Sequence, residues 1–263
     1  MNSIIVRSSA LLACALLLLT AAFGQNGANS GKSFVQAASE ERLFTVTVYS
    51  AKPEMWSEAL RFIKDEAVPA NLKGGRKHME VWTSVYGQSY ESWFILPLEN
   101  FAALDKPDEV LLKGLGSREA VAAFWNKARG FNISVRQFVI RVRPDLSYIK
   151  ADAAAPRLAV VSKYEITPAR TQEYESYVKN DALPVVKKSG RIGQLRANIV
   201  FGGTGVLNFE PQENFANLDK GSAIRQVLDA DAARKLTAKL QGVLARSETT
   251  LLLFRPDLSI LPK

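Results

Sequence analysis

One segment of the chain concentrates residue types that could do chemistry. His78, Glu80, Trp82 and Tyr86 occupy alternate positions of a stretch in which apolar and polar residues alternate. Alternation with a period of two predicts a β-strand with these side chains on one face. A carboxylate beside aromatic rings could act as a general base if burial raised its pKa. The same face could instead be plain packing between two sheets, and both interpretations stay open.

The composition restricts the other chemistry that is available. His78 is the only histidine and Cys14 the only cysteine among the 263 residues. One histidine with scattered carboxylates predicts no metal site and supports no Ser-His-Asp arrangement. Gly202-Gly203-Thr204-Gly205 lies between two predicted strands and indicates a hairpin turn rather than a phosphate-binding loop. We therefore expect no metal and no resident cofactor.

The second half of the sequence repeats the first half. Glu99 to Lys106 returns as Glu213 to Lys220, with seven of the eight residues identical at an offset of 114. Arg143 to Ser147 returns unchanged as Arg255 to Ser259 at an offset of 112. A period of this length is too long for a solenoid and predicts that each copy is a domain.

The hydrophobic patterns predict the order β-α-β-β-α-β in each copy. In the first copy we expect strands at 43–49, 78–86, 90–96 and 134–142, and helices at 53–67 and 117–129. In the second copy we expect strands at 158–164, 194–201, 205–210 and 248–254, and helices at 168–179 and 222–246. Pro69 is expected to end the first helix, because proline lacks a backbone N–H.

This order predicts an α+β fold in which two tandem ferredoxin-like units, 43–149 and 158–263, are joined by a linker at 150–157. Both helices of such a unit cover one face of its sheet, so the aromatic and polar face around Trp82 needs another cover. The second copy could supply it at high effective concentration. The two sheets would then pair face to face as an intramolecular α/β barrel, with a cavity between them.

The element order and the duplication resemble the dimeric α/β-barrel superfamily in a fused, tandem form, over residues 43–261. That superfamily includes antibiotic-biosynthesis-type monooxygenases, small isomerases, haem-degrading enzymes, NIPSNAP-type proteins and chlorite-dismutase-like haem proteins. In the chlorite-dismutase-like members the haem ligand is a histidine of the second repeat. The second repeat of this chain has no histidine, so the resemblance does not imply a haem here.

The second copy is expected to bring different residues to the predicted cavity. Alignment at an offset of 114 places Arg196 and Asn198 on the same interior face as Glu80 and Trp82, and it turns Leu195 toward the helices. Glu80 and Arg196 could form an ion pair that closes the interface or could act on a ligand, and both alternatives stay open. The candidate ligand-binding residues are Tyr49, His78, Glu80, Trp82, Tyr86, Arg141, Tyr164, Arg196 and Asn198.

The N-terminal residues predict export. Arg7 precedes an apolar run at 10–22, and Ala22-Phe23-Gly24 provides small residues for cleavage, so 1–24 is predicted to be a signal peptide and 25–42 a flexible leader. We expect a periplasmic or secreted protein without stable membrane insertion after cleavage. The net charge of +8 is scattered along the chain, so we expect no nucleic-acid partner.

The absence of a recognisable catalytic set predicts an exported, non-catalytic protein. It would bind a small apolar or aromatic ligand, or a partner protein, through the cavity between the sheets. The alternative, implied by the resemblance, is a cofactor-independent monooxygenase or isomerase that acts on an aromatic or polyketide-like substrate. The chain would be a pseudo-dimer within itself, and the sequence leaves further oligomerisation open.

Overall fold

The computed structural model describes residues 34–153 and 156–262. The predicted signal peptide, the first part of the predicted leader and two linker residues lie outside the described residues. The strands are β1 Leu43–Ala51, β2 Glu80–Tyr86, β3 Glu91–Leu98, β4 Asn132–Val142, β5 Tyr148–Ile149, β6 Leu158–Ile166, β7 Gly193–Phe201, β8 Val206–Gln212 and β9 Leu244–Phe254.

Eight of these strands form a closed antiparallel barrel. Their order is β4-β1-β3-β2-β9-β6-β8-β7, and β4 also pairs with β7, which closes the ring. The two-residue strand β5 adds to β7. The contacts between the two halves of the chain are therefore ladders of backbone hydrogen bonds, β2 with β9 and β4 with β7. The fold is α+β, and the barrel has no open sheet edge between the halves.

The helices lie in the connections between the strands. The α-helices are α1 Trp56–Phe62, α2 Val68–Lys73, α3 Glu109–Leu115, α4 Arg118–Phe131, α5 Thr171–Tyr177, α6 Leu183–Lys188, α7 Ala216–Asp219, α8 Ala223–Val227 and α9 Ala230–Ala238. Short 3₁₀ helices occupy Val35–Ser39, Pro53–Met55, Phe101–Asp105, Pro144–Leu146 and Pro256–Leu258. The order β-α-β-β-α-β thus occurs twice along the chain.

Two helix boundaries differ from the sequence-based expectation. Pro69 does not end the first helix, because a π-helical turn at Ile63–Ala67 joins α1 to α2. The second half has the same turn at Val178–Ala182, ahead of Pro184. A proline cannot donate to the helix ladder, and the widened turn accommodates that loss. The single helix expected at 222–246 is broken, since Asp229 caps a new helix by accepting from Ala232 N at 2.8 Å.

The barrel interior is a dense apolar core. Alternate residues of β1, namely Phe44, Val46 and Val48, point inward and are at most 1% exposed. Further interior residues are Trp82, Trp93, Ile95, Ile140, Val142, Ala159, Val161, Leu195, Ala197, Leu207, Phe209 and Leu252. The packing is dense around Trp82, and a pocket of about 340 Å³ remains at the barrel end, lined by Trp93, Phe138, Val161 and Leu207.

The two Arg-Pro-Asp-Leu-Ser segments connect the halves in the same way. Ser147 Oγ accepts from the backbone N–H of Arg196 at 2.8 Å, and Ser259 Oγ accepts from the backbone N–H of Val81 at 2.9 Å. Each serine also donates to the backbone oxygen of its own arginine, Arg143 or Arg255, at 2.7 Å. Arg196 therefore occupies the position that Val81 has in the first half.

This equivalence corrects the predicted orientation of β7. The offset is 115 rather than 114, so Leu195 and Ala197 point into the barrel. Arg196 and Asn198 lie on the opposite face, toward the helices. The apolar core explains the outcome, because placing a guanidinium among the interior side chains would cost far more than placing Leu195 there.

Part of the predicted leader closes one end of the barrel. Phe34 and Val35 are buried, and the Phe34 ring meets the Phe44 and Phe209 rings edge-on at centroid distances of 5.0 and 5.2 Å. The backbone N–H of Phe34 donates to Glu80 Oε1 at 2.6 Å. Among the described residues, no helix is long and apolar enough to cross a membrane.

Candidate functional site

The main cavity lies outside the barrel, between the sheet and the helices of the first half. Its volume is about 730 Å³, within the roughly 300–1,000 Å³ typical of small-molecule sites. The wall on the sheet side comes from β1 and β3, and the opposite wall comes from α1–α4 and the segment at 101–108. Its apolar lining includes Ala59, Phe62, Ile63, Met79, Phe94, Leu96, Leu111, Phe124 and Trp125.

The alternation of β1 explains the polar groups in this cavity. Val46 and Val48 point into the barrel, so Thr45, Thr47 and Tyr49 point toward the helices and line the cavity. Thr47 Oγ1 accepts weakly from Gln137 Nε2 at 3.5 Å. A largely apolar wall with a few hydroxyl and amide groups would suit a flat, partly oxygenated molecule.

Arg76 supplies positive charge to the cavity. It follows α2, and its Nε donates to Asn71 Oδ1 at 2.6 Å while Asn71 Nδ2 donates to Ala67 O at 2.8 Å. No carboxylate of the described residues lies within 4.0 Å of its guanidinium. Burial lowers the pKa of Arg76, yet an arginine remains protonated at neutral pH. Arg76 can therefore stabilise an anionic oxygen on a bound molecule.

The corresponding arginine of the second half is neutralised. Arg191 Nη1 lies 3.5 Å from Glu210 Oε2, and its Nη2 donates to the carbonyl oxygens of Asn217 and Gly221. Thr45 and Val160 are equivalent residues of the two halves. The cross-strand partner of Thr45 is Leu96, whereas the partner of Val160 is Glu210. Leu96 therefore occupies the position of the second-half carboxylate. Loss of that carboxylate leaves Arg76 available to a ligand.

Asp108 and Tyr49 form a second polar group in the cavity. Asp108 precedes α3, but its side chain does not cap that helix; its Oδ1 accepts from Trp125 Nε1 at 2.9 Å. Burial, with a smaller contribution from the Asp108 charge, raises the pKa of Tyr49 to about 12. Tyr49 thus stays a hydrogen-bond donor at neutral pH, while Asp108 offers a carboxylate that could accept a proton.

Larger side chains occupy the corresponding space under the helices of the second half. Tyr174 stands where the first half has Ala59, and Tyr177 stands where it has Phe62. Tyr174 and Tyr177 are both buried, and Tyr164 packs with Tyr174 at a ring-centroid distance of 6.3 Å. The two halves therefore share their backbone plan but differ in the space under their helices.

The structure separates the residues that the sequence placed together. Glu80 is 1% exposed and lies at the barrel end, where it accepts from Phe34 N and from Trp82 Nε1 at 3.2 Å. His78 Nε2 lies 3.1 Å from Glu80 Oε1. The considered ion pair between Glu80 and Arg196 does not form, since the two side chains lie on opposite faces of the barrel wall.

The remaining sequence-based candidates are spread over the molecule. Tyr49 lines the cavity, whereas Tyr164 lies among the buried tyrosines of the second half. Tyr86 is 70% exposed at the end of β2. Arg141 lies on the outer face of β4 with Glu41 at 3.5 Å, and its sheet partner Asn198 is half-buried.

Sequence reasoning missed Arg76, Asp108 and Ala59. Arg76 and Arg191 are equivalent residues of the two copies, at an offset of 115, and the sequence shows no further sign of a role for either. The informative signal was the difference between the copies, Leu96 for Glu210 and Ala59 for Tyr174. Asp108 before a helix resembles an ordinary cap, and its contact with Trp125 depends on the tertiary fold.

Comparison with known proteins finds similar proteins by structure alone. No protein-family model and no curated protein matches the sequence. A protein of Lactobacillus acidophilus NCFM described as a proposed monooxygenase superposes with a TM-score of 0.52 at 12% identity, over 84% of this chain and 97% of that one. An anthrone oxidase-like protein superposes with a TM-score of 0.55 at 13% identity, over 83% and 93%.

A chlorite dismutase variant of Candidatus Nitrospira defluvii superposes with a TM-score of 0.54 at 9% identity, over 83% of this chain and 94% of that one. All three neighbours are matched over more than four-fifths of this chain. At such low identity they show that this chain shares their fold.

The expectation of a non-catalytic protein is wrong. The structural neighbours that share its fold are described as proposed monooxygenases, an anthrone oxidase-like protein and chlorite dismutases. The expected binding site between the sheets stays a prediction. The barrel interior is packed around Trp82, and a pocket of about 340 Å³ at the barrel end is lined by Trp93, Phe138, Val161 and Leu207. The cavity of about 730 Å³ lies on the other face of the sheet.

The residues of this chain do not fit the haem of chlorite-dismutase-like proteins. The only histidine, His78, is 4% exposed at the barrel end beside Glu80 and is not part of the cavity wall. In the second half, Tyr174 and Tyr177 occupy the space beneath the helices. The residues at 34–153 and 156–262 also contain no cluster of three or more His, Cys, Asp or Glu that could hold a metal ion.

Proposed function

We propose that the first-half cavity is the active site of a cofactor-independent oxygenase that acts on an aromatic or polyketide-like substrate. The observation that carries this proposal is the cavity of about 730 Å³ with Arg76 in its wall and, in the described part of the chain, no carboxylate within 4.0 Å of the Arg76 guanidinium. The fold shared with oxygenase-like and anthrone oxidase-like neighbours supports it. We also propose that the two halves are fused ferredoxin-like units, only one of which keeps an open site.

The substrate would be a flat molecule with an acidic CH₂ group beside a ring carbonyl, as in anthrone. Apolar residues such as Phe62, Phe94 and Phe124 would stack against its rings. Asp108 would remove one proton from the CH₂ group. Arg76 and the Tyr49 hydroxyl would then stabilise the resulting enolate oxygen.

The enolate would be the reductant, so the reaction needs no resident redox group. It would transfer an electron to O₂, and the radical pair would combine to form a C–O bond. Protonation gives a hydroperoxide, which loses water to leave a carbonyl group. One CH₂ and one O₂ thus give one C=O and one H₂O, and Asp108 returns its proton to the peroxide oxygen.

Oxygen uptake with anthrone as the probe tests this function. We expect one O₂ consumed per anthrone converted to the quinone by the wild-type protein. In R76M the rate should fall roughly 10²- to 10³-fold, the loss typical of removing an oxyanion-stabilising group. R234M, altered at an exposed arginine of α9 paired with Asp231, should keep the wild-type rate.

The proposal fails if neither anthrone nor hydroxylated anthrones and naphthols support uptake above the protein-free rate. It also fails if R76M and wild type turn over equally, because the cavity would then not be the site. We further propose export to the periplasm or medium, for which the apolar run at 10–22 is the support. Detection of the mature chain outside the cytoplasm would test this.

A further inference from the structure

A second group of buried polar side chains lies under the helices of the second half. Arg196 and Gln194 extend from β7, Asn208 from β8 and Tyr174 from α5, and each is at most 6% exposed. Arg196 and Asn208 are direct cross-strand partners. Four buried side-chain atoms here have no hydrogen-bond partner in the described part of the chain: Arg196 Nε, Gln194 Nε2, Tyr174 OH and Asn208 Oδ1.

The charge of Arg196 is not balanced by a side chain. Its Nη1 donates to Leu146 O at 3.2 Å, and no carboxylate of the described residues lies within 4.0 Å of the guanidinium. The carboxylates that act on the surrounding tyrosines are each paired with another cation: Glu210 with Arg191 at 3.5 Å, Glu175 with Arg143 at 2.5 Å and Asp181 with Lys239 at 2.8 Å.

The surrounding tyrosines do not supply the missing negative charge. Burial raises the pKa of Tyr164 and Tyr174, and it raises the pKa of Tyr177 to about 12. All three hydroxyls are therefore neutral at physiological pH. A buried cation without a counter-ion carries a desolvation cost that a nearby anion would offset.

We infer that Arg196 binds a small monovalent anion of the halide class, with Tyr174 OH and Gln194 Nε2 as further donors. Two of these donors come from β7 and the third from α5, and Arg196 interacts directly with the Tyr174 hydroxyl, so a single spherical anion could be bound between the strand and the helix. Asn208 Oδ1 can accept a hydrogen bond from a neighbouring tyrosine hydroxyl. The N–H groups of Arg196 and Gln194 would then be left to donate to the anion. This site is separate from the first-half cavity and does not depend on the proposed oxygenase activity.

The first half explains why such a site occurs once. Val81, Met79, Phe94 and Ala59 stand in the positions of Arg196, Gln194, Asn208 and Tyr174. The first half therefore has no buried cation at this place and leaves its space open as the cavity. The second half fills the space with tyrosines, and the anion would complete that packing.

Two measurements on the full protein test the site. Crystals soaked in sodium bromide should show an anomalous peak in contact with Arg196 Nε. In solution, Tm should rise saturably when sodium gluconate is replaced by sodium chloride or bromide at constant ionic strength. R196V, which copies Val81 of the first half, should lose both the peak and the halide dependence, while R246V at an exposed arginine of β9 should keep them.

Y174F provides a variant that keeps the cation and the packing. Removing one hydrogen bond to a charged group should raise the halide concentration at half-maximal stabilisation about tenfold. An ordered water without anomalous signal, together with equal Tm in chloride and gluconate, would overturn the inference. An unchanged halide midpoint in Y174F would remove the tyrosine from the site, and an unchanged midpoint in R196V would overturn the site itself.

Discussion

At the scale of single residues, the two copies show how one missing partner changes the role of an arginine. Arg191 is held by Glu210 and two carbonyl oxygens, whereas Arg76 has only Asn71 as a side-chain partner among the described residues. Arg191 stabilises a loop, and its charge is neutralised before any ligand arrives. Arg76 keeps its charge for the cavity, which is the property expected of a group that stabilises an oxyanion.

Replacing Asp108 by asparagine tests its role as proton acceptor. D108N keeps an oxygen that can accept from Trp125 Nε1, so the fold and the affinity for substrate should change little. The turnover rate should fall roughly 10²- to 10⁴-fold, as is typical when a general base is removed. Stopped-flow measurement of enolate formation checks this, with D231N at an exposed acid of α9 as the control. Equal rates in D108N and wild type would assign the proton transfer elsewhere.

The raised pKa of Tyr49 predicts that the protein loses stability in alkaline solution. Its pKa is near 10 when unfolded and about 12 when folded, so the unfolded chain releases the proton first as the pH rises. The stabilisation is complete below pH 10 and is lost between pH 10 and 12, at a cost of at most about 3 kcal/mol. Urea unfolding at several pH values should therefore show a shallower decline for Y49F.

Y86F is the matched control, because it removes the same hydroxyl from a tyrosine that is 70% exposed at the end of β2. If Y49F and wild type lose stability in parallel above pH 10, Tyr49 is not the responsible group. Tyr177, whose pKa burial also raises to about 12, would then be the next residue to substitute.

At the scale of helices and strands, the sequence contained the order of the elements but not all of their orientations. The two β-α-β-β-α-β runs and the inward face of Glu80 and Trp82 follow from periodicity and are present in the structure. The face of β7 could not be derived in this way. Leu195 and Arg196 alternate whichever way the strand is turned, and only the tertiary partners decide which side chain enters the core.

The location of the cavity was also beyond single-strand reasoning. The aromatic face of β2 predicted an opening between the sheets. Trp82 itself is packed in the core, and the pocket beside Trp93 and Phe138 at the barrel end is the smaller of the two. The larger cavity depends on α1, where Ala59 has a small side chain at the position of Tyr174. The size of a cavity depends on the volumes of side chains from several helices and strands. In the sequence it is indicated only by positions at which one copy has a small residue and the other a large one.

Substituting Ala59 by tyrosine and Tyr174 by alanine tests whether these side chains decide which half has an open cavity. In A59Y the new ring should fill the first-half cavity as Tyr174 fills the second half, so the protein should stay folded and lose anthrone binding. In Y174A the second half loses a buried ring, which should cost roughly 3–5 kcal/mol of unfolding free energy. Calorimetric titration with anthrone and urea denaturation measure the two effects. Full binding by A59Y would place the ligand outside the cavity.

At the scale of the whole molecule, the two halves form one continuous barrel. The edge strands of the first half, β2 and β4, pair with β9 and β7 of the second half. The barrel interior contains side chains from both halves. The Arg-Pro-Asp-Leu-Ser segment of each half then bonds to a strand of the other half. Such shared structure predicts that the halves unfold together in one transition.

The paired serine contacts provide the last prediction. S147A and S259A each remove a hydroxyl that accepts from a backbone N–H of the opposite half, Arg196 or Val81. Each should lower the unfolding free energy by about 1 kcal/mol. Because the two contacts are made separately, the double variant should lose about the sum. Urea unfolding of the single and double variants, with S134A at an exposed position of β4 as control, measures these effects. A single transition with additive losses would show that both junctions stabilise one cooperative barrel, whereas a second transition in either variant would mean that one half can unfold while the other stays folded.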